Sequence, residues 1–94
     1  MNIEYNTQFK DKKVIITGGL GFIGSNLAIR LSEIDNSPRE IIIFDCLMDS
    51  QGGDLHNVKD ILDKIEIPEI DNGGIDIRNE SKVKKYLENV DYIF

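Results

Sequence analysis

The sequence predicts a small α/β domain with a parallel sheet, and three observations lead to this prediction. The chain has 94 residues, enough for one domain at most. Short runs of aliphatic and β-branched residues alternate with segments whose apolar residues recur every three or four positions. Glycine, proline and asparagine separate these segments. Strands that alternate with helices build a parallel sheet through right-handed crossovers, so the predicted order is βαβαβαβ.

The first predicted elements are a strand and a helix joined by a glycine-rich turn. Residues 1–11 are polar and aperiodic and are interpreted as a leader, which leaves residues 12–94 for the domain. The continuous β-branched run from Val14 to Thr17 is typical of a strand buried on both faces. From Phe22 onward, apolar residues recur at intervals of four, four and three, which predicts an amphipathic helix; they are Ile23, Leu27, Leu31 and Ile34.

A second strand and a second helix are predicted next. The strand runs from Glu40 to Phe44, and Asp45 stands at its carboxyl end. Asp54 is a suitable N-cap for a helix whose apolar positions extend from Leu55 to Ile65. The second strand and helix therefore repeat the strand-to-helix unit that begins the domain.

The third strand has more than one candidate position. Pro68 would interrupt a central ladder, and the glycine pair at 73–74 forms a second break. The strand could lie at residues 65–70, at residues 75–77, or bulge between them, and the prediction favours residues 74–77. Further on, Asn79 is expected to cap a third helix, with the following residues on one face: Val83, Tyr86 and Leu87. A fourth strand is predicted from Val90 to Phe94.

Composition excludes several kinds of function. A net charge of −6 argues against a nucleic acid partner, because proteins that bind nucleic acids usually present a basic face. The longest apolar run, Ile41 to Phe44, is far shorter than a membrane helix, so we expect a cytoplasmic protein with no membrane partner. One cysteine, Cys46, and one histidine, His56, cannot form a disulfide or a structural zinc site, and no metal is expected.

The turn after the first strand has the main functional signal. Gly18, Gly21 and Gly24 occur there at every third position, and Gly19, Gly21 and Gly24 also satisfy GxGxxG. A tight turn, a pyrophosphate close to the backbone and a helix packed against the strand all require residues without a side chain. The N–H groups and the positive dipole end at the start of the helix would then hold the phosphates. The pattern indicates a dinucleotide site.

Asp45 supports the same interpretation. It lies 21 residues after Gly24, where a carboxylate accepts hydrogen bonds from the adenosine ribose. Because no Lys or Arg occurs from Glu40 to Val58, nothing there would neutralise a 2′-phosphate, and NAD is expected rather than NADP. These features predict a Rossmann sheet with the strand order 3-2-1-4.

Glycine-rich turns between a strand and a helix also occur in sites of different kinds. A nucleotide triphosphate loop of the Walker type is excluded because Ser25 and Asn26 follow the last glycine, where Lys and Ser or Thr are required. A methyltransferase that uses S-adenosylmethionine also places a glycine turn after strand one and an acid after strand two. This alternative and a purely structural turn stay open at this point.

The segment Thr17 to Ser25, TGGLGFIGS, resembles the cofactor signature of the extended short-chain dehydrogenase/reductase family, which includes NAD-dependent nucleotide-sugar epimerases and dehydratases. The strand ending IIIFDCL, the turn at residues 76–78 and the segment Val90 to Phe94 are also similar to this family. The resemblance implies the N-terminal part of a partial Rossmann fold with NAD as cofactor. It also assigns roles to individual residues.

By this resemblance, Phe22 and Ile23 bring backbone N–H groups to the pyrophosphate, together with the glycines of the turn. Asp45 holds the ribose, with Cys46 beside it. The adenine is expected to lie against two further residues, Asp76 and Ile77.

Family members abstract a proton from a sugar hydroxyl with a Tyr whose pKa is lowered by a Lys four residues on. No such pair occurs here, because Tyr5 is followed at that spacing by Phe9 and Tyr86 by Val90, and no Lys follows Tyr92. The chain is interpreted as the NAD-binding segment of an enzyme acting on a nucleotide sugar, without catalytic residues and inactive alone. A free-standing NAD-sensing or interaction module is the alternative. Self-association through the open edge of the fourth strand is expected.

Overall fold

A computed structural model describes residues 8–45, 55–70 and 74–94 of the chain. The elements in chain order are β1 (Lys13–Thr17), α1 (Phe22–Glu33), β2 (Glu40–Phe44), a 3₁₀ helix (Leu55–Ile61), α2 (Glu80–Lys84) and β3 (Tyr92–Ile93). The three strands form one parallel sheet in the order β2-β1-β3. The α/β class and the parallel sheet are therefore confirmed. No helix in the described part of the chain is long and apolar enough to cross a membrane.

Strand β1 is the centre of the sheet. It pairs with β2 over five positions, from Lys13 opposite Glu40 to Thr17 opposite Phe44. On its other side, two positions pair with Tyr92 and Ile93 of β3. Because all three strands are parallel, their carboxyl ends meet at one edge of the sheet, where the glycine-rich turn begins.

Both faces of the sheet are covered, as expected for continuous apolar strands. The first face packs against α1 and the 3₁₀ helix through these buried residues: Val14, Ile16, Leu20, Ala28, Leu31, Ile41, Ile43, Val58 and Ile61. The second face packs against the region of α2 through these residues: Ile15, Ile42, Phe44, Ile75, Val83, Tyr86 and Val90. Successive strand residues alternate between the two clusters, since strand side chains alternate in direction.

Phe9 also belongs to the first cluster, although it lies within the segment predicted as a leader. Its ring contacts that of Tyr92 at a centroid distance of 5.2 Å in an edge-on arrangement. The Lys12 N–H donates to the Phe9 carbonyl oxygen at 3.1 Å, and Asp11 has a φ of 59°, so the chain turns tightly into β1. Phe9 therefore packs on the domain, whereas the neighbouring Gln8, Lys10 and Asp11 are exposed.

The third strand that was predicted at residues 74–77 is not formed. Glu66 instead forms an isolated parallel bridge to β2: its N–H donates to Ile41 and its carbonyl oxygen accepts from Ile43, both at 2.8 Å. Beyond that bridge, the Ile75 N–H donates to the carbonyl oxygen of Asp45 at 2.9 Å. The edge of β2 is thus contacted at two separate points.

The physical reason lies between the two contacts. Pro68 has no N–H to donate to a ladder, and the positive φ values of Glu69 (56°) and Gly74 (75°) turn the chain away from an extended course. The prediction of the order 3-2-1-4 is therefore not confirmed. In the described residues, the sheet has three strands in an order that matches the 2-1-4 part of that prediction.

The helices agree with the predictions to different degrees. α1 begins at Phe22, as predicted. The predicted second helix is a 3₁₀ helix that is interrupted at Val58, where φ is −122°, and the predicted cap Asp54 lies outside the described residues. Asn79 caps α2 as predicted, since its side chain accepts a hydrogen bond from the Lys82 N–H at 3.3 Å.

Candidate functional site

The candidate site lies at the point where the strand order reverses. The chain leaves β1 toward β2 on one side, while β3 lies on the other side, and ligands of open α/β sheets bind in the crevice at such a point. A cavity of about 430 Å³ opens there. It is lined by Ile16, Thr17, Gly18, Gly21, Phe22, Ile23, Gly24, Leu27 and Phe94. All five residues predicted to hold the pyrophosphate therefore line one cavity.

The turn is shaped by its first and last glycines. Gly18 has a φ of 66°, which few residues other than glycine adopt, and its N–H donates to the Phe44 carbonyl oxygen at 2.8 Å. A Cβ at Gly24 would collide with the carbonyl oxygen of Gly18 and would lie 2.8 Å from the Cα of Gly19. Glycine at position 24 therefore allows α1 to begin directly against the end of β1.

The N-terminus of α1 is open to an anion. Gly21 occupies the N-cap and provides no side-chain cap, and no acidic residue stands in the first turn. The first intrahelical bond runs from the Ser25 N–H to the Gly21 carbonyl oxygen at 2.9 Å. Within the described ranges, no acceptor is paired with the N–H groups of Phe22, Ile23 or Gly24. These donors and the helix dipole fit a phosphate group.

The side chains of Phe22 and Ile23 are unusually exposed for their type. Their exposed fractions are 79% and 82%, although both residues stand at the mouth of the cavity. Apolar side chains exposed together beside a concave site mark a ligand-binding surface.

Asp45 lies beside the turn, as the sequence pattern required. Its Oδ2 accepts a hydrogen bond from the Leu20 N–H at 3.0 Å, which fixes the carboxylate against the turn. The bond from Ile75 to the Asp45 carbonyl oxygen brings the segment of Asp76 to the same edge of the sheet. Cys46, predicted to lie next to the ribose, falls outside the described residues.

Asp76 forms a close ion pair with Arg78. Its Oδ2 lies 2.6 Å from Nη2 of Arg78, and Nε contacts both carboxylate oxygens at 3.0 and 3.1 Å. The side-chain hydrogen bonds from Arg78, together with its backbone N–H, lower the pKa of Asp76 from 3.8 to about 2. Asp76 is therefore ionised near neutral pH, and the adjacent Ile77 is 60% exposed. Asn79 rather than Asp76 caps α2.

The sequence did not reveal every residue at this site. Asn57 donates from Nδ2 to the Leu20 carbonyl oxygen at 2.8 Å, and Phe94 lines the cavity. No spacing rule points to these residues, since their contacts depend on how distant segments pack. In the described part of the chain, no group of three metal-ligating side chains comes together.

The parallel sheet, the glycine-rich turn at its switch point and the acid after β2 define a nucleotide-binding α/β domain of the Rossmann type. Residues 15–94 match the sequence profile of the 3-beta hydroxysteroid dehydrogenase/isomerase family, and the chain belongs to this family. This match confirms the resemblance to the extended short-chain dehydrogenases/reductases.

Two solved structures are similar to the chain. The X-ray structure of Pen from Bacillus thuringiensis is 32% identical with a TM-score of 0.63, covering 92% of this chain and 24% of Pen. The dTDP-glucose 4,6-dehydratase from Bacillus anthracis, crystallised with NAD, is 34% identical with a TM-score of 0.59, covering 87% of this chain and 25% of the dehydratase. The chain thus spans about a quarter of the length of either protein. No curated protein sequence matches it significantly.

Proposed function

We propose that this chain is the NAD-binding segment of an enzyme that acts on a nucleotide sugar as an epimerase or dehydratase. The observation that carries the proposal is the uncapped first turn of α1, whose residues line a cavity at the switch point of the sheet. Family membership and the NAD in the similar dehydratase support it.

The residues present fit the dinucleotide. The turn from Gly18 to Gly24, with the N–H groups of Phe22 and Ile23, would hold the pyrophosphate. Asp45 would accept hydrogen bonds from the adenosine ribose, with Cys46 next to it. The adenine would lie against Asp76 and Ile77, on the segment that Ile75 joins to Asp45. When bound, NAD supplies a hydride acceptor for a sugar hydroxyl carbon.

NAD is favoured over NADP by charge. The Asp45 side chain lies beside the turn, and no Lys or Arg occurs from Glu40 to Val58. A 2′-phosphate on the ribose would meet the Asp45 carboxylate, and like charges at short range repel.

The enzyme's proton transfer would come from residues that this chain does not contain. Its 94 residues include no Tyr followed by Lys four positions on. The isolated chain is therefore expected to bind NAD without reducing it. An NAD-sensing or interaction module without catalysis is the alternative, and the coding sequence beyond Phe94 distinguishes the two. An open frame with a YxxxK motif supports the enzyme segment, and an immediate stop codon supports the module.

Isothermal titration of the 94-residue chain tests the cofactor assignment. We expect binding of NAD and weaker binding of NADP. Asp45→Asn keeps an acceptor for the Leu20 N–H but removes the charge that faces the ribose, and should weaken NAD binding about tenfold. Asp35→Asn, an exposed acid just beyond the far end of α1, is the matched control and should leave the affinity unchanged. A folded sample that gives no heat with millimolar NAD contradicts the proposal.

A further inference from the structure

Leu20 is held on both of its backbone groups by side chains from outside the turn. Its N–H donates to Oδ2 of Asp45 at 3.0 Å, and its carbonyl oxygen accepts from Nδ2 of Asn57 at 2.8 Å. These partners lie 25 and 37 residues away along the chain. The Leu20 side chain is fully buried in the first core cluster. Three independent contacts therefore converge on one residue of the turn.

These three contacts to Leu20 fix the conformation of the turn, for which the hydrogen bonding inside the turn is not sufficient. Inside the turn, the bond from the Gly21 N–H to the Gly18 carbonyl oxygen, at 3.1 Å, is the backbone bond that closes it. Glycines give the backbone around Leu20 more conformational freedom than other residues would, so external anchors are needed to fix it. Both bonds are partly shielded from water, and leaving such a backbone group unpaired is destabilising, which favours keeping both bonds.

The orientation of Leu20 determines where the phosphate donors point. Gly21 follows Leu20 directly as the N-cap, and Phe22 begins α1. A rotation of the peptide between Leu20 and Gly21 would therefore move the N–H groups at the start of the helix. Asn57 lies outside the cavity lining, and its side-chain amide donates to the carbonyl oxygen of Leu20, so its substitution should act on the turn.

We propose that Asn57 is a positioning residue for the pyrophosphate-binding turn, and that Asp45 anchors the same turn in addition to facing the ribose. This inference rests on the proposed function, because it assumes that the turn binds a dinucleotide. It assigns a role in cofactor binding to a polar residue of the 3₁₀ helix that lies outside the cavity lining.

The proposal predicts a difference between two fragments of the cofactor. ADP contains the pyrophosphate, whereas adenosine contains only the base and the ribose. Asn57→Ala should weaken ADP binding about 3- to 10-fold, which corresponds to the loss of one hydrogen bond, and should leave adenosine binding within about twofold of wild type. Asp45→Ala should weaken the binding of both fragments, because it removes the ribose acceptor and the anchor of Leu20 together.

NMR titration of the 94-residue chain measures both affinities, including millimolar ones. Asn57→Leu is a second variant of nearly the same size that removes the donor to Leu20 without adding a charge, and it should show the same selective loss of ADP binding. Asn36→Ala, beyond the far end of α1, is the matched control and should change neither affinity. Circular dichroism establishes that each variant is folded.

The outcomes separate this inference from the proposed function. Equal losses of ADP and adenosine affinity in folded Asn57 variants, or no loss of either, overturn the positioning role while the NAD site stands. If the wild-type chain binds neither ADP nor NAD, the proposed function fails, and the role of Asn57 fails with it. A loss confined to ADP supports the assignment.

Discussion

Gly24 shows at the scale of one residue how the turn is built. A Cβ there would collide with the Gly18 carbonyl oxygen and approach the Cα of Gly19. Both are backbone atoms, which cannot move aside as a flexible side chain does. Gly24, the third glycine of the GxGxxG pattern, therefore allows the close contact between helix and strand, while Gly18 allows the left-handed bend.

Replacing Gly24 tests this distinction. Gly24→Ala should lower the free energy of unfolding by about 1–3 kcal/mol, the usual range for an overpacked site. Gly21→Ala is the matched control, because its Cβ would lie 3.4 Å from the Gly18 carbonyl oxygen, an ordinary contact. Urea denaturation measures both variants. Equal stability of the two would contradict the close approach at Gly24.

The ion pair of Asp76 and Arg78 leads to a prediction on pH. Because the folded pKa of Asp76, about 2, lies below the ordinary value of 3.8, the pair stabilises the fold above about pH 4. That contribution is lost as the pH falls from about 4 through 2. It should be small, since the Arg78 side chain is 80% exposed and exposed ion pairs are screened by water.

A carboxyl NMR titration checks the cause of this shift. Arg78→Gln should raise the pKa of Asp76 toward 3.8, because it removes the charged guanidinium donors that favour the carboxylate and leaves only the backbone N–H donor of residue 78 in place. Lys84→Gln removes a cation of the same region that pairs with Glu80 instead, and should leave the Asp76 titration unchanged. An Asp76 pKa that stays near 2 without Arg78 would mean that another group sets it.

Among the secondary structure elements, the strands differ in how well the sequence determines them. The runs that end at Thr17 and Phe44 are continuous and rich in β-branched residues. This pattern is typical of strands buried on both faces of a sheet, so β1 and β2 were predicted almost residue for residue. The segment from Glu66 to Ile75 contains proline, glycine and acids, and its path depends on tertiary contacts with β2. Local sequence patterns therefore could not predict the path of this segment.

The residues of the candidate site also differ in how well the sequence determines them. The glycines and Asp45 follow from spacing, since their positions relative to the first two strands fix where they meet. The bond from Asn57 to Leu20 joins residues 37 apart through a 3₁₀ helix that was predicted as an ordinary helix. The pairing of Asp76 with Arg78 is a local feature, but the sequence shows only that the two residues are neighbours.

The packing of the segment after Glu66 can be tested by substitution. Ile75 is 1% exposed in the second core cluster, whereas Ile77 is 60% exposed, so the two offer a matched pair. Ile75→Ala should lower the free energy of unfolding by about 2–5 kcal/mol, and Ile77→Ala should change it by less than about 0.5 kcal/mol. Chemical denaturation measures the difference. Similar effects at both positions would contradict the packing of Ile75 against β2.

At the scale of the whole molecule, one edge of the sheet is apolar and open. Ile93 and Phe94, at β3, are 57% and 46% exposed, and in the described part of the chain β3 pairs with β1 alone. Edge strands with exposed apolar residues pair readily with a second chain. We therefore expect the 94-residue chain to self-associate through this edge.

Sedimentation velocity over a range of concentrations measures the association. Ile93→Lys should shift the chain toward monomer, because a charged side chain on an edge strand opposes pairing. Ile77→Lys is equally exposed but lies outside the strands, and should leave the association as it is. A wild-type chain that stays monomeric at high concentration would contradict the expectation.

The bond between Asp45 and Leu20 also limits how cofactor preference can be altered. Admitting a 2′-phosphate calls for removal of the negative charge beside the ribose, and a short residue such as Gly or Ala at position 45 would do so. The same change would withdraw the acceptor that holds the Leu20 N–H and would loosen the turn that both cofactors need. Redesign toward NADP should therefore start from Asn at this position, with a cation added among the residues that follow it in the sequence.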